Sequence, residues 1–332
     1  MATINATYLS LQDHLTRLNP DGSRALIIDR ISKTTSAIRD MPFREGNVGS
    51  GYQFTNRSKL PAVNWRVINE GVVASKSATG VVTETAGRLS GMSRVDVELA
   101  EMGGDPAAVR ADEDAAFVPA MEEEIETGLF YHSTKTNPEK FMGLAPRLDS
   151  TSGPYGAQIQ LSSLSSSGSD QTSAYLVCWG PDTVHGFFPK GTKGGLSMTD
   201  HGKGLFDDGS GSGKMNNYYT SEWNWRLGLA VKNPRYMARL ANIDMSAILG
   251  TGSQLIQDLI KTLYKVKDLR TGKPVIYINR ALYTFLDLQV LDTVKSGGGI
   301  TFENVAGERT MFFRQVPVRM TDGILSTESI IG

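Results

Sequence analysis

The pair with the clearest potential for chemistry is Cys178 and His185, because an imidazole near a thiol can take its proton and free a nucleophile. Cys178 lies inside the apolar run Tyr175-Leu176-Val177-Cys178-Trp179, and as the only cysteine of the chain it cannot form an internal disulfide. No further pattern surrounds the pair, and a small buried hydrophobe is the better reading of Cys178. The segment Asp208-Gly209-Ser210-Gly211-Ser212-Gly213-Lys214 resembles a phosphate-cradling loop. That motif needs Gly where Asp208 stands and Ser or Thr where Met215 stands, after an apolar strand that is missing here. It reads as a flexible surface loop.

His14, His132, His185 and His201 are dispersed, and no two share a helix turn, so no zinc pair is visible. Asp200-His201 reads as a solvated pair beside the Gly-rich loop. Ser210 and Ser212 alternate with glycines in a way that loop flexibility explains, and no nucleophile elbow is present. Glu122-Glu123-Glu124 with Glu126 reads as a solvated helix face, since neighbouring helix residues diverge and a hard cation needs oxygens that converge. Trp65, Trp179, Trp223 and Trp225 read as core or interface packing. No catalytic, cofactor-binding or metal-ligating set emerges from these residues, and the expected cofactor is none.

The elements that would carry these residues mix strands and helices without regular alternation, which predicts an α+β chain. Leu11, Leu15 and Leu18, then Leu26, Ile27, Ile31 and Ile38, predict short amphipathic helices in a polar-leaning arm. Tyr52 to Thr55 and Val63 to Ile68 read as the two strands of a hairpin, with Asn56-Arg57-Ser58-Lys59-Leu60-Pro61 at its tip. Strands so polar cannot bury enough surface alone, so this hairpin should project and rest on another body. Ser77 to Glu84 and Arg88 to Leu99 read as strand and connecting segments. Phe117, Met121, Ile125 and Leu129 mark the buried face of a helix, with Asp112, Glu113 and Asp114 at its start and Pro119 inside it.

Ser162 to Ser169 reads as a surface loop, residues 173 to 179 as an apolar strand, and 202 to 213 as a second loop. Trp223 to Val231 and Tyr236 to Ile243 follow as strands. Ser253 is placed to cap a helix carrying Leu255, Ile256, Leu259, Ile260 and Leu263, and Asn279 to cap another. Strands at 275 to 278, around 300 to 302, from Thr310 to Val318 and at Gly323 to Ser326 complete the reading.

With 332 residues, 40% hydrophobic and 21% charged, the chain has the composition of a folded globular protein and is long enough for two domains. Lys and Arg total 34 against 35 Asp and Glu, a formal net charge of −1, without the basic excess that tight binding of nucleic acid by counterion release normally needs. Any contact with DNA should be weak and non-specific. The first residues lack a charged-then-apolar leader, and no run approaches membrane-spanning length, so a cytoplasmic origin and no membrane partner are expected.

Several stretches together resemble one family. They are Leu60-Pro61-Ala62-Val63-Asn64-Trp65-Arg66 with Asn69-Glu70-Gly71, Phe141-Met142-Gly143-Leu144-Ala145-Pro146-Arg147, and Val177 to Gly186 followed by Pro189-Lys190-Gly191. Asn233-Pro234-Arg235-Tyr236, Ala241-Asn242-Ile243-Asp244 and Val316-Pro317-Val318-Arg319 with Thr321-Asp322 continue the series. In their order and spread they resemble the major capsid proteins of tailed bacteriophages, podovirus branch. The resemblance implies a Hong Kong 97-like capsid fold and a structural role, not an enzyme.

It implies an N-terminal arm over 1–43, an extended hairpin loop over 44–75, and a peripheral domain from 76–144 plus 301–332 with a spine helix at 112–131. The axial domain would span 145–300. It further implies copies of the chain in pentamers and hexamers, building an icosahedral head around double-stranded DNA in the virion. Scaffold, portal and cementing proteins are the other implied partners, and the host cytoplasm the implied place of assembly. Arg57, Lys59, Trp65 and Arg66 of the hairpin are the assembly-interface candidates. The alternatives are a bacterial nanocompartment shell of the same fold and, further off, a cytoplasmic hydrolase using Cys178 and His185.

In some members of that family a loop Lys becomes joined to an Asn of a neighbour. Lys59 lies near the predicted tip, but no partnering carboxylate and Asn can be picked out. Assembled particles of this chain should therefore run as a single monomer band on a denaturing gel, and covalent ladders would overturn that expectation.

Overall fold

The computed structural model describes residues 9, 13, 17, 33–102, 104–164, 168–207, 213–291, 300–305 and 308–332. In chain order the helices are α1 (Ala37–Asp40), α2 (Val97–Met102), α3 (Pro106–Ala115), α4 (Phe117–Tyr131), α5 (Ile248–Lys265) and α6 (Arg280–Leu291). The strands are β1 (Phe43–Glu45), β2 (Gly51–Lys59), β3 (Ala78–Thr85), β4 (Gly87–Asp96), β5 (Ile159–Leu161), β6 (Gln171–Trp179) and β7 (Val184–Phe188). They continue with β8 (Leu196–Asp207), β9 (Met215–Val231), β10 (Met237–Asp244), β11 (Lys273–Ile278), β12 (Ile300–Val305), β13 (Glu308–Phe313) and β14 (Val316–Met320). The mixture is α+β. The arm helices expected around Leu11 to Ile31 lie outside the described residues.

The chain divides into two compact units, one of residues 1–34, 88–125 and 195–226, the other of 35–87, 126–194 and 227–332. The larger unit is organised on β6. Every residue of β6 is buried, and it pairs antiparallel with both β10 and β11. A strand covered on both faces reads as a continuous apolar run, which is why 173 to 179 stands out in the sequence. Strands β14, β13 and β12 extend the sheet beyond β11, and β7 and the end of β9 extend it on the other side. Helices α5 and α6 bury Leu255, Leu259, Leu263, Leu282 and Leu286 in a core with Leu176, Cys178, Leu240 and Ile276. In the smaller unit, β9 pairs with both β8 and β4. Val95, Ala100 and Val109 form its small core with Tyr219 against it.

Several local expectations are corrected. The helix expected over 112–131 is two helices meeting at Ala116. Pro119 has no N–H to donate back to Ala115, so the chain restarts there. The earlier helix begins at Pro106, with Asp105 accepting from the Ala108 N–H at 3.2 Å. Asp112, Glu113 and Asp114 thus sit at a helix C-terminal end, where the macrodipole does not favour them. Buried Asp114 instead accepts from Ser221 Oγ at 2.9 Å.

Ser253 is interior to α5, not its cap. Asp244 Oδ1 accepts from the Ser246 and Ala247 N–H groups at 3.0 and 3.1 Å, so the polar start lies upstream. Asn279 does cap α6, accepting from the Leu282 N–H at 2.8 Å. The segment 202–207 belongs to β8, and 208–212 lie outside the described residues. Residues 165–167 of the serine loop likewise lie outside. Thr310 to Val318 is a hairpin of two strands. Its turn is made by Arg314 and Gln315 at φ 46° and 71°, without the Asn-Gly that normally announces such a turn. Gly323 to Ser326 is not a strand, because its backbone bonds to side chains: the Leu325 N–H to Tyr131 and the Leu325 carbonyl to Thr172.

Glu126, expected on a solvated face with Glu122 to Glu124, is 1% exposed. It falls one turn before Phe130 on the buried stripe. Its carboxylate accepts from the Ala37 and Ile38 N–H groups at 2.9 and 3.0 Å and from Thr321 Oγ at 2.6 Å. One side chain thus ties α1, α4 and the segment after β14. Burial raises its pKa above the usual carboxylate value, and the hydrogen bonds only partly offset that.

A raised native pKa means that the folded state holds the proton more tightly than the unfolded chain. The contribution to stability is present below the unfolded value and is lost as pH rises through the raised one. Glu126→Gln should flatten the fall in urea stability measured from pH 4 towards neutrality. Glu126→Ala, which strands two backbone donors, should cost about 3 kcal/mol or more.

Candidate assembly interface

The most exposed element of the larger unit is the hairpin of β2 and β3. Its register runs from Gly51 opposite Thr85 to Arg57 opposite Thr79 and Lys59 opposite Ala78, with an irregularity after Arg57. The return strand is therefore Ala78–Thr85 and not Val63 to Ile68, which lie in the loop between the strands. The sequence misleads here because Val63 to Ile68 has strand-like residues, while the pairing is decided at the hairpin's root.

That root is tightly built. Glu84 and Arg147 form a two-armed ion pair at 2.6 and 2.8 Å with both side chains 9% exposed. Arg147 also donates to the carbonyls of Gly143, Met142 and Leu229. The fork of a guanidinium fits a carboxylate in one orientation, so this pair fixes direction as well as position. At Gly51 an added Cβ would lie 2.2 Å from the Glu84 carbonyl, so only glycine lets the strands close there. Tyr52 packs edge-on to His185 with ring centroids 5.2 Å apart, and the Lys232 ammonium lies 5.5 Å from the Tyr52 ring. Asn56 Nδ2 donates to the Lys232 carbonyl at 2.8 Å, the last such tie before the strands leave the body.

Beyond Asn56 the hairpin is open to solvent: every residue from 57 to 83 is exposed. A turn at Val67 to Glu70, with Asn69 at φ 70°, and a bond from Ser75 Oγ to the Ala62 carbonyl shape the tip. Arg57 and Lys59 stand at the end of β2, and Trp65 and Arg66 in the tip. Among the described residues none of the four has an ion-pair partner. Trp65 is 103% exposed, and it has apolar company in Val63, Val67, Ile68 and Val73, each at least 73% exposed. An apolar cluster of this kind on a projecting element marks a contact surface. Its composition was legible in the chain; its complete exposure was not, because that depends on where β3 pairs.

The rival chemistry fares poorly in this geometry. Cys178 packs among Leu176, Ile276 and Val318, and burial pushes its thiol up to about 12. Burial, with Lys232 and Arg44 nearby, lowers His185 to about 4. Both groups are therefore neutral at pH 7, and no thiolate-imidazolium pair forms. Asp200 and His201 do not act together either: Asp200 pairs with Arg110 at 2.5 Å and His201 with Glu222 at 3.1 Å. Glu123 accepts from the Lys33 N–H at 2.7 Å. Among the described residues, no three His, Cys, Asp or Glu side chains converge as a metal site.

Comparison with known proteins points to a structural protein. The family model for Major capsid protein GP7 matches residues 19–332. The cryo-electron microscopy structure of bacteriophage Epsilon15 matches at a TM-score of 0.80 and 30% identity, covering 100% of this chain and 99% of that one. The capsid of bacteriophage JBD30 shares the fold at a TM-score of 0.55 and 9% identity, over 89% of this chain and 93% of that one. No curated protein sequence matches. The fold is the Hong Kong 97-like capsid fold, and the chain belongs to the Major capsid protein GP7 family, as a structural component of a bacteriophage shell and not an enzyme.

Proposed function

We propose that the chain assembles with copies of itself, as pentamers and hexamers, into an icosahedral head that encloses packaged double-stranded DNA. The observation that carries this reading is the hairpin: rigid at its root, exposed from 57 to 83, and apolar at its tip. An element that cannot bury its own apolar side chains gains from burying them on a neighbour, and obligate interfaces of this kind bury about 2,000–5,000 Å². Arg57, Lys59, Trp65 and Arg66 lie in that contact. Near-neutral net charge keeps the shell from gluing to its DNA, whose contact with the wall is weak and non-specific. Scaffold, portal and cementing proteins are the further partners, and assembly takes place in the host cytoplasm.

We assign residues 1–43 to an arm and extend the loop expected over 44–75 through its return strand β3 to Thr85. The rest of 76–144, with 301–332, forms the peripheral domain, with its spine helix ending at Tyr131, and 145–300 the axial domain. Family membership favours a phage head over a nanocompartment shell. Electron microscopy of the purified chain tests the whole reading: rings of five or six, or closed shells, are expected, and a chain that stays monomeric with scaffold supplied would overturn it.

Two substitutions test the hairpin. Trp65→Ala should leave the melting temperature of the subunit unchanged while weakening each contact by about 2–4 kcal/mol, seen as loss of particles in sedimentation. Normal particles from that variant would count against the assignment. Glu84→Ala acts at the root, stranding a buried guanidinium, and should cost the subunit about 3–5 kcal/mol in urea unfolding. Glu84→Ala combined with Arg147→Met should recover most of that loss, because no unpaired charge is left behind.

A further inference from the structure

A chain with near-zero net charge can still carry charge unevenly, and this one does. Between Asp96 and Glu126 the sequence holds eleven Asp and Glu against one Arg. Between Arg57 and Lys76 it holds Arg57, Lys59, Arg66 and Lys76 against Glu70 alone. The acidic segment covers α2, α3 and the first part of α4; the cationic one is the hairpin tip.

Most of the acidic side chains are partly covered or engaged: Asp114 with Ser221, Glu123 with Lys33, Glu126 with backbone donors. Around α2 the case differs. Glu98, Glu101 and Asp105 are exposed, and among the described residues none has an ion-pair partner. Met102, 68% exposed, stands between them. The outer face of α2 therefore combines carboxylates with a large, adaptable apolar side chain. The hairpin tip combines ammonium and guanidinium groups with Trp65, Val63 and Ile68.

We infer that the exposed face of α2 carrying Glu98, Glu101 and Met102, with Asp105 at the start of α3 next in the chain, receives the hairpin tip of a second copy of this chain. The inference rests on the reading of the tip as a contact element. Complementary charge steers the approach and rejects wrong registers, while the aromatic and aliphatic groups supply contact area. Met is suited to this, since its flexible thioether repacks against an incoming Trp ring. DNA is a poor occupant for either surface: its phosphates repel the carboxylates of α2, and they leave the tip's valines and Trp65 uncovered. A contact between two different surfaces of the same chain is head-to-tail. Such contacts close into rings, which is the arrangement a pentamer or a hexamer needs.

The test is a charge swap in the full-length chain, read by sedimentation velocity and electron microscopy. Lys59→Glu with Arg66→Glu reverses the tip; Glu98→Lys with Glu101→Lys reverses the receiving face. Each pair should cut the assembled fraction about tenfold at 0.1 M salt, and all four together should restore it to within about threefold of wild type. Melting temperatures of the unassembled subunits separate misfolding from lost contact. Should Glu98→Lys with Glu101→Lys lower that temperature, Glu98→Gln with Glu101→Gln replaces it, with a weaker salt dependence of assembly expected. If the α2 variant assembles normally, or the fourfold swap stays dispersed while its subunits melt like wild type, the receiving face lies elsewhere. In either case the hairpin reading stands on Trp65→Ala. If the tip reversal and Trp65→Ala both form normal shells, the hairpin reading itself fails.

Discussion

The larger unit depends on one buried carboxylate, Glu126, which has no ion-pair partner among the described residues. Glu126 binds the backbone of α1, the side chain of Thr321 and, through its own helix, the aromatic cluster around Phe130. An unsolvated carboxylate is costly, so the arrangement persists only because several donors converge on it. The position also leaves no slack: an added Cβ on Gly323 would lie 2.8 Å from Glu126 Cγ. Three parts of the chain that are far apart in sequence therefore meet at one atom group, and the helix that carries it is held at its end.

A second polar cluster does the same for the chain's last residues. Arg239, 4% exposed, donates to Glu328 at 2.9 Å, and Glu328 also accepts from Ser173 and Tyr131. Asn242, at φ 57°, exchanges two hydrogen bonds with the backbone of Ile331. With Glu84 and Arg147 at the hairpin root, these sites share a principle. Buried polar pairs add little net stability over well-packed apolar ones, but they accept only one geometry. For a subunit whose neighbours must meet it at fixed angles, direction is the property that counts. The contrast with the hairpin tip is sharp: among the described residues it has no such fixings beyond Asn56, and its residues from 57 to 83 are exposed.

What could be read in the sequence follows from the range of the interactions involved. The apolar run of β6, the strands 223 to 231 and 236 to 243, and the Asn279 cap are local patterns, and each formed as its residues dictate. The turn at Arg314 and Gln315 was invisible because those residue types do not favour positive φ and are held there by the strands on either side. Glu126 reads as a surface acid in the sequence because its partners lie 89 and 195 residues away. The hairpin's existence was legible, but its return strand was not, since pairing is decided by Gly51, Glu84 and Arg147 together. The candidate site residues came from composition and resemblance. Their shared exposure, and the valines that accompany Trp65, required the register.

The central strand also has a consequence for synthesis. β6 is complete by Trp179, yet its antiparallel partners β10 and β11 end only at Asp244 and Ile278. The bond between Trp179 Nε1 and Tyr277 Oη joins residues 98 apart, and that hydroxyl donates on to Asp40, 237 residues earlier. Contacts so distant make folding slow, and they leave a strand destined for full burial without both its neighbours until Ile278 has been made. A nascent chain of this kind is sticky until nearly its whole length has emerged. Shell proteins are made in many copies at once, so unfinished chains of this kind are exposed to one another while the particle is being made.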